Sequence, residues 1–430
     1  MNTDKPVRLL YLTCTELIAN YGIFDTQVKS LLKTLACKYH PTMSVHLFSL
    51  VPVLRLVKWR VEVVFSRYKG SFDTLQQELA TENIQVSIKP LLSIYPFDTW
   101  RVIEMLVALP LAIAMLVAYV KRYRINLLHC RSYHAGLLGL IIKKILHVPY
   151  IFDPRSSWVK EQIFGGKLSR RSLSYYVWQK LENAIVFNAQ ICIVVSDPMK
   201  ERFTALAQQV EVVYTTASDI HFSQVDGEKL LPPEQIDDLK RLKCSNKLFV
   251  FNTGSFNRWN NLDHLLDRYK ALHQIVPESK LVIMTSTSRD TVYEALISHG
   301  VDPETNMIMN LASNLVPFIL RNCDYGLVIM PDSVKSPEVM SVKFAEYLAA
   351  GLPVICDEYI GGAAHVIRHH QVGMLLSNDW IRNKKEFDHL QENYAEISER
   401  CRNVAKELFS VNVHAARYAK LYQEAVARGS

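Results

Sequence analysis

The sequence has few of the residues and patterns that mark non-globular or disulfide-stabilised chains. Only 15 glycines and 17 prolines occur among 430 residues, which argues against collagen-like and low-complexity classes. The eight cysteines are scattered and form no C-x-x-C pair, so free thiols in a reducing compartment are expected. With 49% hydrophobic and 21% charged residues, the chain can bury large cores, and its length suits two domains.

Several signals for partners and catalysis are missing as well. The net charge of +7 is not concentrated in a basic stripe with aromatics, so no nucleic acid is expected, and anionic substrates or a membrane surface fit better. No D-x-D lies at a strand end, and no H-x3-H lies beside carboxylates, so neither a metal nor another cofactor is expected. The missing G-x-S-x-G and G-x-G-x-x-G patterns disfavour a serine hydrolase and a dehydrogenase.

Targeting and membrane signals are weak. The first residues, MNTDKPVRLLYLTC, resemble a strand and not a signal peptide, so a cytoplasmic location is expected. The apolar segment 102–120 contains Glu104 and Pro110, which favours a buried helix over a membrane span and leaves partial insertion open. Segment 54–68 mixes basic and aromatic residues and suits either a membrane interface or a core-packing helix with a basic outer face. These two segments are the candidate contacts with the inner face of a membrane.

Short apolar runs alternate with helical patterns along most of the chain, which is typical of parallel strands covered on both faces. The predicted strands are 9–14, 45–51, 85–88, 127–130, 150–153, 192–195, 210–214, 247–252, 280–285, 307–310, 325–330, 354–357 and 373–376. The predicted helices are 26–39, 74–82, 100–123, 136–146, 172–187, 262–273, 291–299, 316–321 and 342–350. The alternation lapses at the polar stretch 216–246, so the sequence predicts two doubly wound α/β domains joined by a linker.

One stretch carries most of the functional argument: EVMSVKFAEYLAAGLPVI, from Glu338 to Ile355. Pro337 predicts that Glu338 precedes a helix, which leaves Glu346 about one turn inside it. A carboxylate accepts two hydrogen bonds from a vicinal diol such as that of a ribose. The backbone at Ser341 and Val342 would form the helix N-terminus, which is a ready phosphate site.

A simpler interpretation of the same pair stays open. Glu338 could be solvated, and Glu346 could cap the helix or pair with Lys343. Two glutamates at this spacing are common by chance. The following A-A-G-L-P-V-I adds weight to the functional interpretation, because it fixes a helix end and a strand in a particular order.

The stretch resembles the E-x7-E signature of retaining family-4 glycosyltransferases of the GT-B fold, in which two doubly wound Rossmann-like domains face each other across a cleft. Residues 253–259 lie where that family has its donor-phosphate loop, 193–203 resemble the last strand and helix of its first domain, and 322–325 resemble the turn before the signature. The resemblance covers nearly the whole chain and is strongest from 247 to 376.

The resemblance implies an acceptor-side domain at 1–215, a linker at 216–246, a nucleotide-sugar domain at 247–395, and helices at 396–430 that cross back to the first domain. It also implies transfer of a sugar from a nucleotide sugar to a glycan or lipid-linked glycan, with retention of configuration and without a metal. Capsule and lipopolysaccharide transferases are the similar members, so bacterial surface polysaccharide synthesis is expected. A nucleotide-sugar epimerase or hydrolase and an inactive binding or scaffold protein are the alternatives.

Carried over by position, Glu346 would hold the ribose hydroxyls, Glu338 would contact the donor sugar, and Ser341 and Val342 would meet the hexose or phosphate. The other implied donor-side positions are Gly254, Ser255, Arg258, Asn310 and Lys343. The family's usual arginine and lysine of the phosphate loop are replaced here by Ser255 and Asn260. Because a cation is still needed at the leaving diphosphate, Arg258 or Lys343 is the expected substitute.

The first-domain candidates follow the ends of predicted strands. They are Gly22, His129, Arg131, His134 and Arg155. Gly22 lets the backbone approach a substrate. His129, Arg131 and His134 cluster at the end of the fourth strand and would touch a donor sugar or its phosphate, unless the histidines are structural. His134 is placed with Glu338 and Arg258 in the candidate catalytic set. Asp153-Pro154-Arg155 resembles a D-x-R-G segment of the capsule-type transferases. Arg155 would bind an anionic acceptor or pair with Asp153.

Overall fold

The computed structural model describes residues 5–15, 21–57, 60–63, 65, 68–95, 102–217, 228, 230–333 and 336–429. The chain forms two compact units. The first comprises Met1–Val213 and Val411–Ser430, and the second comprises Tyr214–Ser410. Each unit contains one mainly parallel sheet with helices packed on it, so the expected α/β fold with two doubly wound sheets is confirmed.

The first unit is built on a sheet of eight strands among the described residues, in the order β3-β2-β1-β5-β6-β7-β8, with β4 also paired to β2. The strands are β1 (Val7–Cys14), β2 (Met43–Val57), β3 (Arg60–Val63), β4 (Gln85–Tyr95), β5 (Leu127–Arg131), β6 (Tyr150–Asp153), β7 (Ile191–Val194) and β8 (Val210–Val212). All pairs are parallel except β2 with β3. The central strands β5, β6 and β7 are buried along their whole length, as expected for strands covered on both faces.

Its helices follow the strands in sequence. They are α1 (Ser30–Tyr39), α2 (Lys69–Ala80), α3 (Val102–Arg122), α4 (Ser132–Leu146), α5 (Trp158–Phe164), α6 (Leu173–Asn188) and α7 (Asp197–Thr204). A short helical turn, Tyr21–Phe24, and a π-helical turn, Asp25–Lys29, lead directly into α1. In the described part of this connection, an irregular turn therefore leads into the first long helix.

The second unit has six strands among the described residues, all parallel, in the order β11-β10-β9-β12-β13-β14. They are β9 (Lys247–Asn252), β10 (Ser279–Met284), β11 (Met307–Met309), β12 (Tyr325–Val328), β13 (Val354–Asp357) and β14 (Gly373–Leu376). The helices are α8 (Pro233–Ser245), α9 (Leu262–Ile275), α10 (Arg289–Ser298), α11 (Val316–Asn322), α12 (Val342–Ala350), α13 (Gly361–His370), α14 (Trp380–Glu392) and α15 (Tyr394–Phe409). This strand order is that of dinucleotide-binding Rossmann sheets.

The end of the chain is divided between the units. Within the segment 396–430, α15 belongs to the second unit, and the last helix, α16 (Val411–Arg428), belongs to the first. In the first unit α16 buries Tyr418, Ala419 and Tyr422 in the same core as residues of β1 and α1. The stretch 216–246 belongs to the second unit and contains α8, where the sequence predicted a linker.

The two segments considered for membrane contact have different structures. Within 54–68, residues 54–57 and 60–63 form antiparallel strands and not a helix, while 58, 59, 64, 66 and 67 lie outside the described residues. Segment 102–120 is part of α3, which turns Ala108, Ala112, Leu116 and Val120 into the core at four-residue spacing. None of the described helices is long and apolar enough to cross a membrane.

Candidate functional site

Glu346 is fixed at the carboxyl end of β9. It lies just over one turn inside α12, whose first turn is capped by the Ser341 hydroxyl accepting from the Lys343 N–H at 3.2 Å. Glu346 is 6% exposed, and its carboxylate accepts a hydrogen bond from Asn252 Nδ2 at 3.1 Å. Lys343 Nζ lies 3.0 Å from Oε2 and 3.2 Å from Oε1 of the same carboxylate. Glu346 therefore pairs with Lys343, which the simpler interpretation of the sequence had left open as an alternative to a ligand site.

The end of α12 explains why the signature needs its glycine. Gly351 adopts a left-handed conformation with a φ of 82°, and a Cβ there would lie 2.0 Å from the Arg402 guanidinium. Only glycine fits this helix end without strain. Tyr347, beside Glu346, accepts a hydrogen bond at its hydroxyl from the Asn252 N–H at 2.8 Å. Consecutive residues of α12 thus hold the last residue of β9.

Glu338 precedes α12, as Pro337 predicted, and closes a short 3₁₀ turn, Ser336–Glu338. Its side chain is 7% exposed, so it is buried and not solvated. The turn rests against the start of α13, where the Gly362 N–H donates to the Val339 carbonyl at 3.1 Å. A Cβ on Gly361 would lie 2.1 Å from the Pro337 carbonyl oxygen, so the close contact requires glycine.

A polar cluster that sequence reasoning missed lies at the end of β13. Asp357 is fully buried, its Oδ2 accepts from the Met330 N–H at 3.3 Å, and its Oδ1 lies 2.9 Å from Arg268 Nε. His264 Nε2 lies 2.9 Å from the Tyr359 hydroxyl and 3.3 Å from Asp357 Oδ2. Tyr359 in turn donates to the Met330 carbonyl at 2.6 Å. Met330 lies between β12 and Glu338. Its backbone N–H and carbonyl are therefore both hydrogen-bonded to side chains at the carboxyl end of β13.

The loop after β9 has the form of a compact turn. Asn257 Oδ1 accepts from the backbone N–H groups of Trp259 at 2.7 Å and Asn260 at 3.1 Å. The Gly254 carbonyl accepts from the Ser286 N–H at 2.9 Å, and a Cβ on Gly254 would meet nothing within 4 Å. Ser255 and Arg258 are exposed. Open space beside Gly254 suits close approach of a ligand to the backbone.

The remaining donor-side candidates differ in their contacts. Asn310 is exposed directly after β11. The Lys343 side chain is one-third exposed, because it lies at the rim of the carboxylate that it pairs with. The structure thus brings Ser341, Lys343 and Glu346 into direct contact within one helix.

In the first unit, the register of β5 with β6 places Arg131 opposite Asp153. Arg131 and Arg155 each donate to Oε1 of Gln27, at 3.0 and 2.9 Å. Arg155 Nη1 also lies 3.5 Å from Asp153 Oδ2, so the expected pairing of Arg155 with Asp153 is observed. Sequence reasoning missed Gln27, because nothing in its surroundings distinguishes it from other helical glutamines.

His129 lies beneath these arginines in the core. Its Nε2 is 3.3 Å from Asp153 Oδ2, its Nδ1 is 3.0 Å from the Tyr422 hydroxyl, and its ring stacks on Tyr11 at 4.2 Å. Burial lowers the pKa of His129 despite the neighbouring carboxylate. Burial would raise the pKa of Asp153, but Arg155, His129 and Arg131 together outweigh burial and hold that pKa below its usual range. The pair is thus a neutral imidazole against an ionised carboxylate.

His134 is buried between two indole rings, with centroids 5.5 Å from Trp158 and 5.4 Å from Trp178. Burial lowers its pKa to about 3, so at neutral pH the ring is uncharged. It therefore has no positive charge to offer a phosphate. Gly22 is exposed in the helical turn after β1, and a Cβ there would meet nothing within 4 Å.

Among the described residues, no group of three or more histidine, cysteine, aspartate or glutamate side chains is placed to hold a metal ion. The candidate residues fall into two groups, one in each unit. Each group lies where its strands end at the carboxyl edge, which is where ligands bind in doubly wound sheets.

Two family models match the sequence. Residues 43–215 match a glycosyl transferase 4-like domain, and residues 234–408 match glycosyl transferases group 1. Together the two matches span most of the chain. A comparison with curated protein sequences gives no match.

Similar solved structures include Anabaena HepE in complex with UDP, at 15% identity and a TM-score of 0.65, covering 97% of this chain and 100% of the other. A glycosyltransferase from Rickettsia africae is similar at 15% identity and a TM-score of 0.66, covering 99% of this chain and 100% of the other. WaaG, a glycosyltransferase involved in lipopolysaccharide biosynthesis, is similar at 13% identity and a TM-score of 0.60, covering 97% of this chain and 99% of the other. The chain is therefore a glycosyltransferase of the GT-B fold, with a glycosyl transferase 4-like domain followed by a group 1 domain.

Proposed function

We propose that this enzyme transfers a sugar from a nucleotide sugar to a glycan or lipid-linked glycan with retention of configuration and without a metal. The observation that carries the proposal is Glu346, a buried carboxylate held by Asn252 and Lys343 at the carboxyl end of β9. A carboxylate fixed in this way can accept both hydroxyls of a ribose without first being ordered by the ligand.

The neighbouring groups suit the rest of the donor. Glu338 would contact the transferred sugar, and the α12 N-terminus at Ser341 and Val342 would meet the sugar or its phosphate. Lys343 and Arg258 are the candidate cations that would stabilise the leaving diphosphate. Lys343 is the better placed of the two, because it already lies against Glu346, the carboxylate that would bind the ribose.

The reaction would be a front-face substitution. The bond from the anomeric carbon to the diphosphate oxygen breaks, and the bond to the acceptor oxygen forms on the same face. The proton of the acceptor hydroxyl passes to the leaving phosphate, so no side-chain base is required.

The similar proteins support a narrower version of the proposal. HepE has been solved with UDP and with UDP-glucose, so a uridine nucleotide is the first donor to try. WaaG is involved in lipopolysaccharide biosynthesis, which supports a role in bacterial surface polysaccharide synthesis. Such an enzyme would act in the cytoplasm at the inner face of the membrane, with 54–68 or 102–120 as the contact.

The test has two stages. A thermal-shift screen against UDP-, GDP-, ADP- and CMP-sugars should show stabilisation by one nucleotide class. NMR of the product made from that donor should then show the same anomeric configuration as the donor. An inverted product would refute the front-face mechanism, and the absence of any nucleotide-dependent shift would refute the donor site.

A second candidate function is a nucleotide-sugar-binding protein without transferase activity. Ser255 and Asn260 favour it, because each replaces a cationic residue expected in the phosphate loop. Nucleotide binding without turnover over a broad acceptor panel would support this alternative. Nucleotide release without any acceptor would instead favour a hydrolase.

A further inference from the structure

A groove lies against the outer edge of the second sheet. Its volume of about 880 Å³ falls within the usual range of small-molecule sites, roughly 300–1,000 Å³. The described residues that line it come from β14, α13, α14 and α15 and from the turns between them, so the groove belongs entirely to the second unit. These residues include none of the donor-side or acceptor-side candidates. The donor site therefore does not explain the groove.

The edge strand β14 offers backbone groups to this groove. β14 is the last strand of its sheet, and among the described residues it pairs with β13 alone. The Val372 and Leu376 carbonyls accept from N–H groups of the β13 segment at 3.0 and 3.1 Å, so these alternate residues face β13. Gly373 and Leu375 consequently direct their N–H and C=O groups away from β13. Both residues line the groove, so these groups are available to a ligand there.

The outward backbone groups of β14 require hydrogen-bonding partners from outside the sheet. Leu375 is 4% exposed, and buried backbone N–H and C=O groups are nearly always hydrogen-bonded. Only two residues of this four-residue strand face outward, which is too few for a partner strand to add along the edge. Hydroxyl groups of a small ligand fit better, because each of them both donates and accepts.

Two ion pairs also line the groove. Arg382 Nε donates to Glu386 at 2.7 Å within α14, and Arg400 pairs with Glu396 within α15. Arg400 also donates to the backbone and side-chain oxygens of Gln371, at 3.1 Å each. Carboxylates that are held in this way keep further lone pairs, which accept hydrogen bonds from hydroxyl groups.

Two further cations of the groove are available to an anion. Arg368 on α13 and Lys385 on α14 both line the groove, and both are exposed. In the part of the chain that the structure describes, neither side chain has an ion-pair partner. The two carboxylates of the groove are already paired, so they leave the charge of Arg368 and Lys385 unneutralised. A guanidinium and an ammonium group together suit a phosphate.

We propose that this groove binds a phosphorylated sugar, with the phosphate at Arg368 and Lys385 and the sugar hydroxyls at the two ion pairs and the outer edge of β14. The site is separate from the donor site, because β12 and β13 lie between β14 and β9, the strand that ends beside Glu346. Three strand spacings amount to about 14 Å. The inference goes beyond the proposed transfer reaction and does not depend on it.

The probes are glucose 1-phosphate, glucose 6-phosphate and inorganic phosphate, titrated into the intact protein at constant ionic strength and followed by calorimetry. Wild type should bind one of the two sugar phosphates at least tenfold more tightly than inorganic phosphate, because the sugar hydroxyls add hydrogen bonds. Arg368→Gln and Lys385→Gln should each weaken that binding at least fivefold, because each removes one charge at the phosphate. Both side chains are exposed, so the two variants should fold.

Lys270→Gln is the matched control. It removes the same charge from an exposed position on α9 of the same unit, outside the groove, and should bind the sugar phosphate as tightly as wild type. Hydrogen exchange of the wild type locates the site. Bound sugar phosphate should slow exchange in the peptide that contains Gly373 and Leu375, since their N–H groups gain partners. Exchange in the peptide around Glu346 should not change.

A wild type that binds neither sugar phosphate would overturn the proposal, as would unchanged affinity in both Arg368→Gln and Lys385→Gln. Equal affinity for inorganic phosphate would refute the sugar part of the ligand. Slower exchange confined to the peptide around Glu346 would place the ligand in the donor site and refute the groove. Nucleotide affinity in a Glu346 variant tests the donor site separately, so either proposal can fail while the other stands.

Discussion

Glu346 is the residue whose removal should weaken donor binding most directly. Glu346→Ala deletes the carboxylate that Asn252 and Lys343 hold in place. With it go the two charge-assisted hydrogen bonds that we propose the carboxylate accepts from the ribose. The expected loss is on the order of 3 kcal/mol, or roughly a hundredfold in Kd for the nucleotide. Isothermal titration with the nucleotide selected by the donor screen measures it.

The control for this variant is Glu294→Ala, an exposed glutamate on α10 of the same unit. Its nucleotide affinity should equal that of wild type. Glu346→Gln keeps one acceptor oxygen and should fall between the two. Unchanged affinity in Glu346→Ala would refute the assignment of the ribose site, whatever the activity of the variant.

At the level of elements, the turn between β13 and α13 holds the chain that leads to Glu338 at two points. Asp357 and Tyr359 bind the backbone N–H and carbonyl of Met330, and Gly362 binds the carbonyl of Val339. Each of these hydrogen bonds joins residues that are about thirty positions apart or fewer along the chain. His264, from α9, also contacts the Tyr359 hydroxyl, so a further helix helps to hold the turn. The position of Glu338 therefore depends on β13 as much as on its own turn.

Tyr359→Phe tests this dependence, because it removes only the hydroxyl that donates to Met330 and contacts His264. We expect a loss of about 1 kcal/mol in the free energy of unfolding from the lost hydrogen bond. We also expect weaker binding of the nucleotide sugar than of the free nucleotide, because Glu338 would contact the sugar and Glu346 the ribose. Urea unfolding and titration with both ligands measure the two effects.

Tyr293→Phe is the matched control, since that hydroxyl donates to Glu304 at 2.9 Å on another part of the second unit. It should leave both ligand affinities unchanged. Equal weakening of nucleotide and nucleotide sugar in Tyr359→Phe would contradict a specific effect on Glu338 and indicate a general loosening of the unit.

Strands that are buried on both faces could be predicted from the sequence. Elements whose form depends on the neighbouring parts of the chain could not. The runs 150–153, 247–252, 354–357 and 373–376 match observed strands end to end, because continuous apolar segments leave little choice of boundary. Helix α8 was missed because Pro232-Pro233 suggested a break, whereas proline at the start of a helix is favourable. The hairpin of β2 with β3 was missed because its apolar and basic residues also fit a helical pattern.

The residues of the candidate sites also fall into those that the sequence predicts and those that it does not. Glu338 and Glu346 could be found because their spacing is tied to a helix end and a following strand. Gln27 could not, since its two partners are 104 and 128 positions away and its π-helical turn has no pattern of its own. The cluster around Asp357 brings in His264 from 93 positions away. Long-range polar contacts of this kind are set by the packing of the sheet, which composition and periodicity do not encode.

For the whole molecule, the distribution of buried histidines should make the first unit sensitive to acid. His46, His129 and His134 all belong to it, and burial lowers the pKa of each, to about 4 for His46 and to about 3 for His134. Their ordinary pKa is 6.5. Below that value the unfolded chain takes up protons that the folded unit does not, so acid favours unfolding.

The free energy of unfolding should therefore fall as the pH drops from 6.5 towards 4, by up to about 1.4 kcal/mol per pH unit for each of these histidines. The slope that they contribute should disappear as the pH rises well above 6.5. Hydrogen exchange of peptides from β2 and α4, corrected for the intrinsic exchange rate at each pH, measures the effect in the first unit. His46→Leu removes one of these titrating groups and should reduce the slope by up to about 1.4 kcal/mol per pH unit. A stability of the first unit that does not change between pH 6.5 and 5 would show that these rings are already accessible to protons in the folded chain.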